Sequence, residues 1–232
     1  MSETKELIDK IMEKKEFSQL LRKDVLIALE KFDKEKYSDE EKIKLTRDLL
    51  RKTFSGFGGK KLLIWKNKTE EEILKKHLST KERFDNYEEI YLRILRKLPN
   101  EISIIDLGAG VNGFSYKFFE KIGKKVDYTG VEGVGQLVEI TNKFFKNNKI
   151  KNARTLHFSL FELEKVKKII EKIKKPKIIF MFKIIDALES LERDYTKKLL
   201  LEMKENVDRF AVSFATESWM KRKKFHVQRV WF

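Results

Sequence analysis

Glycines and carboxylates are spaced in one stretch of the chain as they are in nucleotide-binding turns. Asp106 lies just before the run Gly108–Gly110, and Gly113 completes a Gly-x-Gly-x-x-Gly pattern. Glycines let the backbone turn sharply at the end of a strand and let a ligand approach closely. The pattern matches the dinucleotide fingerprint, but glycine turns occur in other α/β proteins too. The stretch therefore predicts a cofactor site without fixing which cofactor it binds.

A second carboxylate, Glu132, follows the turn by about 20 residues, the spacing at which an acid can accept hydrogen bonds from both ribose hydroxyls of an adenosine. Glu132 would serve a nicotinamide dinucleotide or S-adenosylmethionine equally well. Asp106 distinguishes between these two cofactors, because methyltransferases commonly have an acid just before the first glycine, where dinucleotide enzymes usually have an apolar residue. The residues favour S-adenosylmethionine, with a dinucleotide enzyme as the alternative. Adenine would then lie near Ser159, Leu160 and Phe182.

Two kinds of element must position these residues. Up to about residue 98, apolar residues recur at helical spacings, and a hydroxyl three residues before a carboxylate predicts helix starts. These capping pairs are Ser38 with Glu41, Thr69 with Glu72 and Ser79 with Glu82. From Pro99 onward, short β-branched runs alternate with longer amphipathic stretches. The predicted strands are Ile102–Leu107, Tyr128–Val131, Thr155–Phe158, Ile178–Phe182 and Phe210–Phe214.

The alternation predicts an α/β domain, residues 99–232, with a parallel sheet and crossover helices on both faces. The expected crossover helices are about Phe114–Lys121, Val134–Phe145, Phe161–Ile173 and Ala187–Glu205. Residues 1–98 are expected to form a separate all-helical domain, because the only abrupt change of pattern lies near Pro99.

Composition restricts the partners. The formal charge of +15 suits a phosphate-coated partner, and nucleic acid is the first candidate. The chain has no cysteine, and its three histidines are scattered, so no metal site is expected. An N-terminus without a signal-like apolar run predicts a cytoplasmic protein that does not enter membranes.

Four motifs in order resemble the aminoglycoside-resistance methyltransferases of small-subunit ribosomal RNA. That family typically has His-x-Ser-Thr-x-Glu-Arg before its Rossmann-like domain, an Asp-x-x-x-Gly-x-Asn-Pro turn, a Phe-Lys pair on strand four, and Ser-Phe-Pro-x-x-Ser. The chain has His77–Arg83, Asp106–Asn112, Phe182 with Lys183, and Ser213–Ser218. The resemblance covers nearly the whole chain.

The resemblance implies methyl transfer from S-adenosylmethionine to ring nitrogen 7 of a guanine in the decoding-site helix of 16S rRNA, by a monomer whose helical domain docks on the small subunit. Arg83 would bind the cofactor carboxylate, and Phe57 would cover the cofactor. Lys183, Ser213 and Ser218 would approach the target nucleotide. The complete expected cofactor set is Phe57, His77, Leu78, Ser79, Arg83, Asp106, Gly108, Ala109, Gly110, Glu132, Ser159, Leu160 and Phe182.

Nitrogen 7 of guanine has a lone pair and no proton, so the reaction needs positioning rather than a general base. The chain departs from the family at Gly113, Asp186 and Ala215, where the family has proline, and it ends where relatives continue into a final pair of strands. We therefore expect a fold that lacks those strands. The alternatives are a methyltransferase of another RNA or of a small molecule, and a non-catalytic RNA-binding module with the same fold.

Overall fold

The computed structural model describes residues 2–54 and 68–214. The part before Pro99 is helical, as the apolar spacing predicts. Its helices are α1 (Ser2–Met12), α2 (Arg22–Glu30), α3 (Asp39–Phe54), α4 (Glu70–Lys76), α5 (Leu78–Lys81) and α6 (Tyr87–Ile94). None of the described helices has the length and apolar composition needed to cross a bilayer.

The part after Pro99 forms a parallel sheet with the strand order β3-β2-β1-β4-β5. The strands are β1 (Glu101–Leu107), β2 (Lys125–Glu132), β3 (Ala153–His157), β4 (Lys177–Phe182) and β5 (Arg209–Ser213). All five predicted strands are present, with small differences at their ends. The order reverses between β1 and β4, and ligands bind at the carboxyl ends of the strands beside such a reversal.

Helices cover both faces of the sheet, which confirms the predicted α/β architecture. They are α7 (Lys117–Lys121), α8 (Gly135–Asn147), α9 (Leu163–Lys172), α10 (Ile185–Leu191) and α11 (Tyr195–Met203). Alternate strand residues enter two separate clusters of buried side chains: Ile104 and Phe180 belong to one, Ile105 and Ile179 to the other. Because successive side chains point to opposite faces of a strand, both faces of the sheet are buried.

One predicted crossover helix is two helices in the structure. The stretch Ala187–Glu205 is interrupted before α11, where Asp194 has a φ of 61°. A left-handed residue cannot continue a right-handed helix. The carboxylate of Glu189 stabilises the break, because it accepts hydrogen bonds from the backbone N–H groups of Asp194 (2.7 Å) and Thr196 (2.9 Å) at the start of α11.

Two of the three predicted capping boxes form. Their pairs are Ser38 with Glu41 and Thr69 with Glu72. The third prediction is wrong, because α5 begins at Leu78 and Ser79 lies inside it. The hydroxyl of Ser79 instead accepts a hydrogen bond from Arg83 (3.2 Å), and Glu82 forms an ion pair with Lys183. Ser79 and Glu82 therefore contact two residues of the predicted site, Arg83 and Lys183.

The helical part packs directly on the sheet. Tyr91 of α6 stacks on Phe119 and Phe180, with ring centroids 4.1 and 5.9 Å away. Near α2, Leu20 forms a β-bridge with Val134, just past the end of β2. One buried cluster accordingly contains side chains of both parts. The division into two domains at Pro99 stays a prediction.

Candidate functional site

The glycine turn leaves β1 in a backbone conformation that few residues adopt. Gly108 and Gly110 have φ values of 69° and 52°, in the left-handed region where glycine avoids the clash of a side chain. The N–H groups of Gly108 and Ala109 donate to the carbonyl oxygen of Val131, at 2.9 and 3.1 Å. These bonds hold the turn against the end of β2. The turn contains three residues of the expected cofactor set, Gly108, Ala109 and Gly110.

Glu132 ends β2 and lies beside this turn. Its carboxylate accepts hydrogen bonds from the backbone N–H groups of Gly110 (2.8 Å) and Val134 (2.9 Å). Its side chain is almost fully buried, and this burial raises the pKa of Glu132 to about 7 although the backbone donors oppose the shift. The acid is thus fixed in orientation at the position predicted for a ribose contact.

A cleft of about 470 Å³, including space open to solvent, lies beside the turn. Three residues of the expected cofactor set line it, namely Gly108, Glu132 and Leu160. The other lining side chains are mainly apolar, and Asp24 of α2 adds a second carboxylate. The cleft therefore combines apolar walls with two acids.

Asp106 belongs to a buried polar cluster on the other side of the turn. Its carboxylate accepts hydrogen bonds from the Tyr128 hydroxyl (2.7 Å) and from the amide of Asn112 (2.8 Å). Burial raises the pKa of Asp106 to about 6 against these donors. The Asn112 amide oxygen accepts from Arg83 (3.3 Å) and from the Tyr87 hydroxyl (2.9 Å). The cluster thereby joins the helical part to the glycine turn.

Arg83 is the positive group of this cluster. Its guanidinium carbon lies 4.6 Å from the ring centroid of Phe182 and 5.8 Å from that of Tyr87, and the side chain is buried. Its Nε has no hydrogen-bond partner among the described residues. A buried guanidinium with a spare donor is suited to binding a carboxylate.

Phe182 lies against Arg83 and in the cluster of core side chains that includes Tyr91, and it does not line the cleft that contains Leu160. Ser159 is buried behind that cleft, where its hydroxyl donates to Asp24 and accepts from the N–H of Phe161 (3.2 Å). The three residues expected near adenine are therefore not brought together. Ser159 and Leu160 lie on the cleft side of the turn, and Phe182 lies on the Arg83 side.

Two further members of the expected set lie where α4 meets α5. His77 directly follows α4 and is buried. Its burial, with a contribution from the Arg83 charge, lowers its pKa to about 4. Its imidazole is therefore neutral at physiological pH. Leu78 is the first residue of α5. Phe57 and Ser218, predicted to contact the cofactor and the target, lie outside the described residues.

Lys183 and Ser213 meet at the carboxyl ends of β4 and β5. The N–H of Lys183 donates to the carbonyl oxygen of Ser213 (3.0 Å), and Lys183 has a φ of 58°. The Lys183 ammonium pairs with Glu82 from the end of α5. The Ser213 hydroxyl is buried without a hydrogen-bond partner in the described part of the chain. Both side chains thus lie at the edge where the predicted target nucleotide would approach.

Two residues of the site, Asn112 and Asp24, are not predicted from the sequence. Asn112 lies inside the quoted turn motif, but its spacing gives no sign that it links Arg83 to Asp106. Asp24 has no sequence signal at all, because an acid in the first turn of a helix is ordinary. Gly113, where the family has proline, is explained by packing: a Cβ there would lie 2.6 Å from Thr141.

The fold can be compared with solved structures. No protein-family model matches the chain, and no curated protein matches its sequence. An rRNA methylase from Escherichia coli superposes with a TM-score of 0.70 and 18% identity, covering 93% of this chain and 85% of that one. The 16S rRNA methylase RmtB superposes with a TM-score of 0.72 and 17% identity, covering 92% and 84%. The chain has the fold of these rRNA methylases. The resemblance drawn from four short motifs is therefore confirmed at the level of fold.

Within this methylase fold, the described residues suit S-adenosylmethionine. Glu132 and Asp24 offer acceptors along the cleft, and Arg83 offers a buried donor without a partner on the other side of the turn. An adenosine has hydroxyl and amine donors, and the methionine end has a carboxylate. The chemistry of the two sides thus matches the two ends of the molecule. No group of side chains that could hold a metal ion occurs among residues 2–54 and 68–214.

Proposed function

We propose that this protein is an S-adenosylmethionine-dependent methyltransferase that modifies ring nitrogen 7 of a guanine in the decoding-site helix of 16S rRNA. The observation that carries the proposal is that a buried acid that lines the cleft, Glu132, and a buried guanidinium outside the cleft, Arg83, both connect to the glycine turn, Glu132 through Gly110 and Arg83 through Asn112. Glu132 is a buried acid on the cleft side, and Arg83 is a buried cation on the other. A guanidinium also binds the pyrophosphate of a dinucleotide, so the preference for S-adenosylmethionine over that alternative is supported by the fold shared with rRNA methylases.

Each side of the turn has its own task in this proposal. Glu132 accepts hydrogen bonds from the ribose hydroxyls, while the apolar walls around Leu160 receive the base. Arg83 binds the methionine carboxylate, and Asn112 and Ser79 hold the guanidinium in place. When bound, S-adenosylmethionine supplies a methyl group activated by its sulfonium charge. The protein needs to hold the donor and the acceptor nitrogen in line, which requires no proton transfer.

The target side consists of Lys183 and Ser213 in the described structure. Lys183 can contact a phosphate and Ser213 can donate to a base or sugar, since its hydroxyl is not engaged by the described residues. A guanine in a helix must leave its stack to reach such a site. The net charge of +15 supports an RNA partner, because phosphate contacts supply most of the affinity of nucleic-acid binding.

The substrate is supported by the solved structures that share the fold, both of which are described as rRNA methylases. On this proposal the protein acts as a monomer in the cytoplasm, on the assembled small subunit. Aminoglycoside resistance belongs to the same proposal, because it is a property that the resemblance to that family implies.

The direct test is methyl transfer to purified small ribosomal subunits from S-adenosylmethionine labelled in its methyl group. We expect label in 16S rRNA at one guanine, found by chain cleavage specific for 7-methylguanine. Arg83→Ala is the negative control, with folding checked by circular dichroism. Label in another RNA would contradict the assignment of 16S rRNA as the substrate and support the other RNA instead. A folded protein that binds S-adenosylmethionine but transfers nothing would point to the non-catalytic module, and binding of NADH alone would refute the proposal.

A further inference from the structure

The cleft contains a carboxylate that belongs to the helical part rather than to the sheet. Asp24, in the first turn of α2, is only 3% exposed and lines the cleft together with Glu132 and Leu160. The Ser159 hydroxyl donates a hydrogen bond to it. Asp24 thus places a hydrogen-bond acceptor in the wall of the cleft.

The backbone around Asp24 is fixed to the sheet. Leu20, just before α2, bridges to Val134, and the N–H of Gly135 donates to the carbonyl oxygen of Gln19 (3.0 Å). These contacts join the start of α2 to the residues that follow β2. These contacts therefore hold Asp24 in a fixed position relative to the sheet and to the cleft.

Asp24 lies between the ends of two neighbouring strands. A Cβ on Gly133, just past β2, would be 3.0 Å from one oxygen of Asp24, and Ser159, just past β3, hydrogen-bonds to the other oxygen. The negative charge of Asp24 contributes to the raised pKa of Glu132. A buried carboxylate requires hydrogen-bond donors. A ligand that supplies donors to this corner of the cleft would meet that requirement.

The rest of the wall near Asp24 is apolar and suits a planar base. Leu160, Phe161 and Ile184 line the same cleft. A purine between such side chains presents its edge to the polar group at the wall. Adenine has an exocyclic amine on that edge, which can donate a hydrogen bond to a carboxylate. Hypoxanthine has a carbonyl oxygen there instead, which a carboxylate repels.

We propose that Asp24 accepts a hydrogen bond from the exocyclic amine of the adenine in the cleft, so that the helical part selects the base of the methyl donor. The proposal rests on the proposed function, since it assumes that adenosine occupies this cleft. It also gives the helical part a role in donor binding that is separate from any docking on RNA. Ser159 then acts through Asp24, which it orients.

The test is calorimetric binding of S-adenosylhomocysteine and S-inosylhomocysteine at pH 8, where Asp24 is ionised. The wild-type protein should prefer the adenosyl compound by about 10- to 150-fold, the range for a hydrogen bond to a charged group. In Asp24→Asn the new amide can donate to the carbonyl oxygen of hypoxanthine. The preference should therefore fall by roughly tenfold or more, through weaker adenosyl and stronger inosyl binding.

Glu162→Gln is the matched control, because Glu162 lies near enough to raise the pKa of Asp24 but does not line the cleft. It removes a nearby charge and should leave the preference unchanged. The wild-type preference is a test in itself if Asp24→Asn does not fold. A wild-type protein that binds both compounds equally, or a folded Asp24→Asn with an unchanged preference, overturns this inference alone. A wild-type protein that binds neither overturns the proposed function as well.

Discussion

Glu132 accepts a hydrogen bond of 2.8 Å from the backbone N–H of Gly110, so the acid that ends β2 holds the turn that follows β1. The same carboxylate accepts from Val134, at the start of the connection to α8. Two strand ends are thereby tied together by one side chain. Since that side chain is buried, its ionisation is linked to the stability of the folded protein.

The first prediction concerns pH. Burial raises the pKa of Glu132 from 4.5 to about 7, so between these values the folded state holds a proton that the unfolded state has released. The free energy of unfolding contributed by this group is therefore present at low pH and falls as pH rises through the window. Comparing pH 5 with pH 7.5 by urea unfolding, we expect Glu132→Gln to lessen the pH-dependent loss by roughly 1–3 kcal/mol. Parallel pH profiles for wild type and variant would contradict the burial of this acid.

The second prediction separates two costs at the glycine turn. Gly108→Ala and Gly123→Ala both place a side chain at a positive φ, of 69° and 73°. At Gly123 the added Cβ has no neighbour within 4 Å, whereas at Gly108 it would lie 2.6 Å from Ile184. We expect Gly123→Ala to lower the free energy of unfolding by about 1–2 kcal/mol, and Gly108→Ala by roughly 1–3 kcal/mol more. Equal losses in denaturant unfolding would show that the turn does not pack against Ile184.

The third prediction tests the buried cluster around Asp106. Tyr128→Phe removes one donor to the carboxylate and should cost about 1 kcal/mol. Combined with Asp106→Asn, the loss should differ from the sum of the single losses by about 0.5 kcal/mol or more, because the two groups are partners. Tyr116→Phe is the control for the loss of a hydroxyl that does not contact Asp106, since the Tyr116 hydroxyl donates to the carbonyl oxygen of Val126. Its loss should add to that of Asp106→Asn. Additive losses for Tyr128 and Asp106 in a double-mutant cycle would disprove the bond.

The fourth prediction concerns donor binding by Arg83. Arg83→Ala should weaken the binding of S-adenosylhomocysteine by about 1.5–3 kcal/mol, and Arg83→Lys should restore only part of it because lysine lacks the planar fork. Arg93→Ala is the control on the neighbouring helix, since Arg93 is exposed and pairs with Glu89 at the surface. Calorimetry gives the three affinities. Equal affinity for Arg83→Ala and Arg93→Ala would exclude the carboxylate role.

The fifth prediction separates conformation from charge at Lys183. Its φ of 58° is unfavourable for any residue with a Cβ, so Lys183→Gly should be more stable than Lys183→Ala by about 1 kcal/mol. Both variants lose the ammonium, and both should transfer less methyl to the small subunit if Lys183 contacts the target. Thermal unfolding gives the first comparison and labelled transfer the second. Full methyl transfer by both variants would show that Lys183 does not contact the target nucleotide.

Much of the fold follows from local sequence. The five β-branched runs predict β1 to β5, and a parallel sheet is the usual result when such runs alternate with helices. Capping at Ser38 and Thr69 is correct because both partners of each bond lie within four residues. The third capping pair does not form, because α5 begins at Leu78 and Glu82 pairs with Lys183, a contact that sequence spacing cannot reveal. The break before α11 cannot be predicted from local sequence either, since it depends on the hydrogen bonds that the Glu189 carboxylate accepts from the N–H groups of Asp194 and Thr196.

For the candidate site, the turn and the acid beyond it can be predicted from the sequence, because the left-handed backbone at Gly108 and Gly110 favours glycine and Glu132 stands at the spacing typical of a ribose-binding acid. Which side chains lie next to one another depends on the tertiary structure. It brought Asp24 of α2 into the cleft and linked Arg83 to Asp106 through Asn112. It also separated Phe182 from Leu160. These relations depend on how helices far away in the chain pack on the ends of the strands, where burial and hydrogen bonding over long sequence separations select one arrangement.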